Sequence, residues 1–282
     1  MLGTIVDIHP HIISPDTQRY PATPFGGKHS KWSIERPVAF GQLVASMDKA
    51  GIAKAAIVHA STMYGFNNDY LADAIAGQGS RFTGVFSVDL LAADAPQKMR
   101  YWHSRNLTGM RIYFGNADVT KDRRLDDPRS FPAWECAQEL GIAVCISRYA
   151  AKHDELLAMV RRYPQVKIVL DSPLAPIEEG PPYVGSSDLF DLAQHENVYV
   201  KVHTTVIRAS MRGNATPETF FPKLVAAFGA SRIAWGSDFP AARGTLPEIL
   251  AEAKAALAVL PPADQEWIFH RTAATLYPAL AE

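Results

Sequence analysis

The sequence predicts an α/β fold of the (β/α)8 TIM-barrel type, a single domain over residues 1–282 with long loops after the first and sixth strands. Three observations point there. Eight short apolar runs rich in β-branched residues recur along the chain, each is followed by a stretch of helical periodicity, and their starts lie about 32 residues apart, the size of one strand-helix unit. Such alternation calls for parallel strands joined by crossover helices. Eight units, with no glycine-rich phosphate loop after the first run, favour closure over an open doubly wound sheet.

Taken in order, the runs begin near Ile5 (TIVDIH), Lys54 (KAAIVHA), Phe82 (FTGVFSV), Thr108 (TGMRIYF), Ile142 (IAVCIS), Val166 (VKIVLDS), Val198 (VYVKVH) and Arg232 (RIAWGSD). Between the first two, Phe40, Leu43, Val44 and Met47 recur at helical spacing and Gly51 supplies the stop. Gly141 likewise divides the helix of Trp134 and Leu140 from IAVCIS, and Gly229 divides Phe221, Leu224, Val225 and Phe228 from RIAWGSD. Two segments break the repeat. Residues 14–37 and 172–188 each hold four prolines and follow the first and sixth runs, where a barrel keeps its active site, so both are expected to be lids over a pocket.

Composition narrows the function. With 28 Lys and Arg against 29 Asp and Glu, the net charge of −1 gives no global attraction to nucleic acid or to an anionic membrane. No 18-residue uncharged apolar run occurs, and Met1 to Pro10 lacks the pattern of a secretory signal; a cytoplasmic, unprocessed protein is expected. Two cysteines, Cys136 and Cys145, are too few for a disulfide framework or a zinc cluster. A small-molecule partner is therefore expected, with homo-oligomerisation left open.

The first strand ends in Asp7-Ile8-His9-Pro10-His11, where i and i+2 on an extended segment turn both imidazoles to one side. The eighth ends in Gly236-Ser237-Asp238-Phe239-Pro240, and closure sets it beside the first, so Asp238 is expected to face His9 and His11. The D-x-H-x-H and GSD-x-P strand ends, with the C-terminal HRTAATLYP, resemble the amidohydrolase-related family over the whole chain. The lactonase branch typified by 2-pyrone-4,6-dicarboxylate hydrolase is the most similar. The resemblance implies a (β/α)8 barrel that hydrolyses an ester, lactone or amide, or in a sister branch decarboxylates an aromatic or unsaturated acid without oxidation.

It also implies a test through what is missing. Metal-dependent relatives usually add a histidine at the end of strand five or six; here those ends read Cys145-Ile146-Ser147-Arg148 and Leu170-Asp171-Ser172-Pro173. The expectation is a site that works without metal, as the lactonase branch is thought to do. Should a divalent ion such as Zn²⁺ or Mn²⁺ bind, its ligands would be His9, His11 and Asp238, with His203 on strand seven as a candidate fourth.

Asp238, His9 and His11 are thus the expected catalytic residues: the carboxylate as general base, the imidazoles polarising a carbonyl. Arg111 near the end of strand four and Arg148 after strand five suit a substrate carboxylate through paired hydrogen bonds. His203, His59 and Ser61 are further candidate substrate contacts, Lys201 a partner for a buried carboxylate such as Asp7 or Asp171, and Trp32, Phe25 and Tyr20 an aromatic lid. A lactone or ester hydrolase acting on a small carboxylic acid is the leading reading. A metal-dependent decarboxylase is the alternative, and a barrel that binds without catalysis the third.

Overall fold

The computed structural model describes residues 3–113, 123–147, 152–171 and 176–281. Eight parallel strands pair each with the next: β1 (Val6–Asp7), β2 (Lys54–Val58), β3 (Phe82–Phe86), β4 (Gly109–Ile112), β5 (Ala143–Ile146), β6 (Ile168–Leu170), β7 (Val198–His203) and β8 (Ile233–Gly236). The barrel returns from β8 to β1 through single backbone bonds, Ile8 N–H to the Trp235 carbonyl at 3.3 Å and His11 N–H to that of Phe239 at 2.7 Å. β1 is shorter than the run that foretold it, because the His9 amide donates to the Asp7 side chain instead of to a neighbouring strand.

The principal helices after the strands are α1 (Phe40–Ala50), α2 (Asp69–Ile75), α3 (Ala95–Ser104), α4 (Phe131–Leu140), α5 (His153–Arg162), α6 (Ser187–Asp191), α7 (Pro217–Phe228) and α8 (Leu246–Leu257). The caps read from sequence hold in detail at two of three glycines: Gly51 and Gly141 adopt left-handed φ of 72° and 65°, which favours glycine, whereas Gly229 ends α7 with ψ at 142°.

Two layers of apolar side chains result. Leu43, Met47, Trp134, Leu156, Phe220 and Leu250 lie between strands and helices, and Val6, Ala56, Val58, Val85, Cys145 and Val169 fill the barrel. The C-terminal segment seals the end where strands start: Leu276, Tyr277 and Leu280 join the inner cluster, and Lys54 Nζ at the head of β2 donates to the Leu280 carbonyl at 2.9 Å. Polar chemistry is left to the opposite, C-terminal mouth.

The first long loop holds the short helix Lys31–Glu35 and is tied across the mouth. Arg36 donates from Nε and Nη2 to the carbonyls of Pro240 and Ala241, at 3.2 and 2.9 Å, and Ser30 bonds Thr62. The described part of the second docks beside α7, with the Tyr183 hydroxyl on Thr219 at 2.7 Å and Asn214 N–H on the Glu178 carbonyl at 2.9 Å. Among the described residues, no helix is long and apolar enough to cross a membrane.

Candidate active site

Where β1 meets β8, the Asp7 carboxylate takes the place of a strand ladder. Its Oδ1 accepts the amides of His9 at 3.0 Å and Ser237 at 2.8 Å, holding both strand ends in one register. Burial pushes the Asp7 pKa up, against those hydrogen bonds. The backbones approach so closely here that only glycine fits at 236: a Cβ there would lie 2.6 Å from that of His9. Two residues on, Asp238 has a φ of 56°, a left-handed conformation that Asp tolerates better than most residues.

That turn sets the Asp238 Oδ1 3.7 Å from His11 Nε2 and 3.9 Å from His9 Nε2. His11 Nδ1 is 2.7 Å from the Val58 carbonyl, an acceptor only, so Nδ1 carries the proton and Nε2 presents a lone pair. Burial, then Lys201, holds the His9 pKa well below the usual histidine value, and neither of its buried ring nitrogens has a hydrogen-bond partner. His9, His11 and Asp238 each offer one donor atom, all within 4.8 Å of one another. Two imidazoles and a carboxylate, with an orphaned buried nitrogen among them, fit a divalent ion and leave coordination positions open.

His203 reaches the same pocket but not that group. Its ring centroid is 5.7 Å from that of His9, and its Nδ1 accepts the Thr205 amide at 3.2 Å. Burial lowers its pKa, so the neutral ring carries its proton on Nε2. Its expected part as fourth metal ligand is not supported, since Nδ1 is already committed.

Across the mouth stands a residue that sequence reasoning passed over as a site. Asp171, at the end of β6, accepts Lys201 Nζ at 2.5 Å and Arg111 Nε at 2.7 Å, and its Oδ1 lies 3.4 Å from His9 Nδ1. Burial alone would raise its pKa, but Lys201, Arg111 and His9 hold it well below the carboxylate range. Lys201 is fully buried, and despite that burial Asp171 raises its pKa. The available signal was three charged side chains, from β4, β6 and β7, in otherwise apolar strands.

The family follows from comparison with known proteins. A family model described as Amidohydrolase matches residues 6–279. The chain belongs to the amidohydrolase family. The curated L-fucono-1,5-lactonase of Burkholderia ambifaria is 31% identical over 181 residues, 62% of this chain, and the chain spans 60% of that relative's length. A Pseudomonas putida protein solved under the name 2-pyrone-4,6-dicarboxylic acid hydrolase superposes with a TM-score of 0.76 at 18% identity, covering 100% of both chains. An amidohydrolase of Burkholderia multivorans solved with bound zinc gives 0.72 at 20%, covering 98% of this chain and 99% of that one.

These findings correct one expectation of the sequence. A preference for a metal-free site is not supported: the loss of histidines from strands five and six leaves a compact donor set at the seam.

The other expected contacts of this amidohydrolase are placed as follows. His59 is buried, its Nε2–H donates to the Gly65 carbonyl at 2.8 Å, and burial lowers its pKa to about 4. The Ser61 hydroxyl pairs with that of Ser87 at 3.2 Å. Both therefore bond within the loop after β2 and its neighbour. Arg148 lies outside the described residues. Of the lid aromatics, Trp32 stacks on His11 at 5.2 Å, Phe25 meets Phe66 edge-on at 5.0 Å, and Tyr20 is an anchor, its hydroxyl donating to Asp73 at 2.7 Å.

Proposed function

We propose that this amidohydrolase hydrolyses a lactone, or a related ester, of a small carboxylic acid. The observation that carries the reading is the convergence of His9, His11 and Asp238 within 4.8 Å at the strands' C-terminal mouth. The name of the Burkholderia ambifaria relative supports a cyclic ester as substrate.

In this reading Asp238, the more exposed member, takes a proton from water as the water oxygen attacks the carbonyl carbon. The ring C–O bond then breaks, and the proton passes from Asp238 to the departing alkoxide, giving a hydroxy acid. His203, with its proton on Nε2, donates a hydrogen bond to a substrate oxygen. Arg111, already tethered to Asp171 through Nε, turns its remaining guanidinium edge to a substrate carboxylate. Trp32, stacked on His11, closes the pocket over the ring and limits the entry of bulk water. A divalent ion on His9, His11 and Asp238 would supply Lewis acidity to the carbonyl when bound.

The test is a panel of sugar-acid 1,5-lactones and pyrone carboxylates, followed by acid release at constant pH, with carbon dioxide measured in parallel on aromatic acids. Ring opening above the uncatalysed rate is expected. Carbon dioxide release without lactone hydrolysis would replace the reading by the decarboxylase, and neither activity would refute catalysis of both kinds. Equal processing of an acid and its neutral methyl ester would remove Arg111 from substrate recognition.

A further inference from the structure

We propose that Asp171 is a positioning residue that holds the His9 imidazole in its Nδ1–H form, so that the Nε2 lone pair faces Asp238 and the reacting centre. The proposal rests on the reading that His9 works through Nε2, and it assigns work to a carboxylate outside the donor group.

The geometry is asymmetric in a way that selects one tautomer. His9 Nδ1 lies 3.4 Å from Asp171 Oδ1, and Nε2 lies 3.9 Å from Asp238 Oδ1. Each carboxylate favours an N–H aimed at it and disfavours a lone pair. Asp171 is the nearer, and its side chain is 4% exposed against 22% for Asp238, so solvent screens its field less. The 3.4 Å contact is an ion-pair distance rather than a formed hydrogen bond, so Asp171 acts on the ring as a nearby charge and not as a bonded acceptor.

Lys201 and Arg111 make that charge permanent. Lys201 occupies one position on Oδ1 and Arg111 one on Oδ2, which leaves Oδ1 with acceptor capacity on the side of His9. With both cations in place, Asp171 stays an anion and does not donate a proton to His9. His11 reaches the same state by other means, its Nδ1–H given to the Val58 carbonyl. Both rings then present Nε2 to one point, one fixed by the backbone and one by a buried charge.

The experiment is long-range ¹H–¹⁵N spectroscopy of metal-free protein labelled at histidine, with His9 assigned by loss of its signals in His9→Gln. The wild type is expected to show a protonated Nδ1 and an unprotonated Nε2 at His9. Asp171→Asn alone would strand the buried Lys201 and the part-buried Arg111 without their counter-charge, so the second protein is Asp171→Asn/Lys201→Met, which removes one charge of each sign. In it the Nδ1–H preference is expected to be lost, and Zn²⁺ affinity, read by competition with a chromophoric chelator, to fall by about 10–100-fold with the melting temperature retained. An Nε2–H form at His9 in the wild type overturns the proposal, even should the double variant fail to fold. So does a folded double variant with unaltered tautomer and affinity. None of these readings uses a substrate, so a failed lactone assay leaves the outcome intact.

Discussion

Gly236→Ala changes one methyl group at the seam and is expected to damage the site more than the fold. The added Cβ would lie 2.6 Å from the His9 Cβ, 3.1 Å from its amide nitrogen and 3.4 Å from its Cα. Ordinary contact begins at 3.4 Å, so β1 and β8 must part by about 0.8 Å, or His9 must turn. Neither move is free, because the Asp7 carboxylate clamps the His9 and Ser237 amides on either side of that contact. Overpacking of this kind costs about 1–3 kcal/mol, and in a chain of this size each kcal/mol lowers the melting temperature by about 2–4 °C. A displacement near 1 Å at the donor group costs on the order of 10²-fold in turnover. The assay pairs calorimetry with lactone hydrolysis and Zn²⁺ titration on one preparation. A variant that melts lower by several degrees yet binds and turns over like the wild type would refute the claim that the seam positions His9 against Asp238.

Three further outcomes are expected. Asp238→Asn keeps the shape and loses the base, so turnover should fall by about 10²–10⁴-fold while the melting temperature of the metal-free protein stays unchanged, and near-normal turnover would remove Asp238 from the mechanism. Protein purified without chelators should carry close to one divalent ion per chain by elemental analysis, and its removal should lower the melting temperature and its return restore it; no metal together with full activity would count against the donor group. His59, neutral in the fold with its pKa lowered to about 4 by burial, takes a proton more readily when unfolded, so stability should fall as pH drops from about 6.5 to 4 and then level off, a loss of up to about 3 kcal/mol. Denaturant melts of His59→Gln across that range should lack this part of the slope, and an identical slope would show that His59 does not cause it.

How much of this was legible depends on the range of the interaction. The eight strands were readable because each is a short, largely apolar run, and parallel strands buried on both faces leave that mark. The meeting of Asp238 with His9 and His11 was readable because closure makes the last strand neighbour to the first. The true length of β1 was not, since nothing in TIVDIH says that Asp7 will capture the amide of His9. His203 shows the same limit on a smaller scale. Its strand and direction followed from period two, but the Thr205 amide that occupies Nδ1 belongs to a helix start two residues on.

Asp171 was legible only in part: it was one of two carboxylates expected to pair with Lys201, which it does, but its other partners come from β4 and β1 and no sequence spacing links them. Its place explains how a barrel can do without histidines on strands five and six. Arg111, Lys201 and Asp171 fill the mouth over β4 to β7 with two cations on one carboxylate, a net positive group that repels a metal ion from that side. The nitrogen and oxygen donors are then confined to the seam of β1 and β8. His9 stands between the two halves, 3.4 Å from Asp171 on one nitrogen and 3.9 Å from Asp238 on the other. A substitution in the charged half should therefore be felt at the seam through His9 before it is felt anywhere else. On that reasoning the depleted ligand pattern marks a site rebuilt around a fixed charge, and its two halves are coupled by one imidazole.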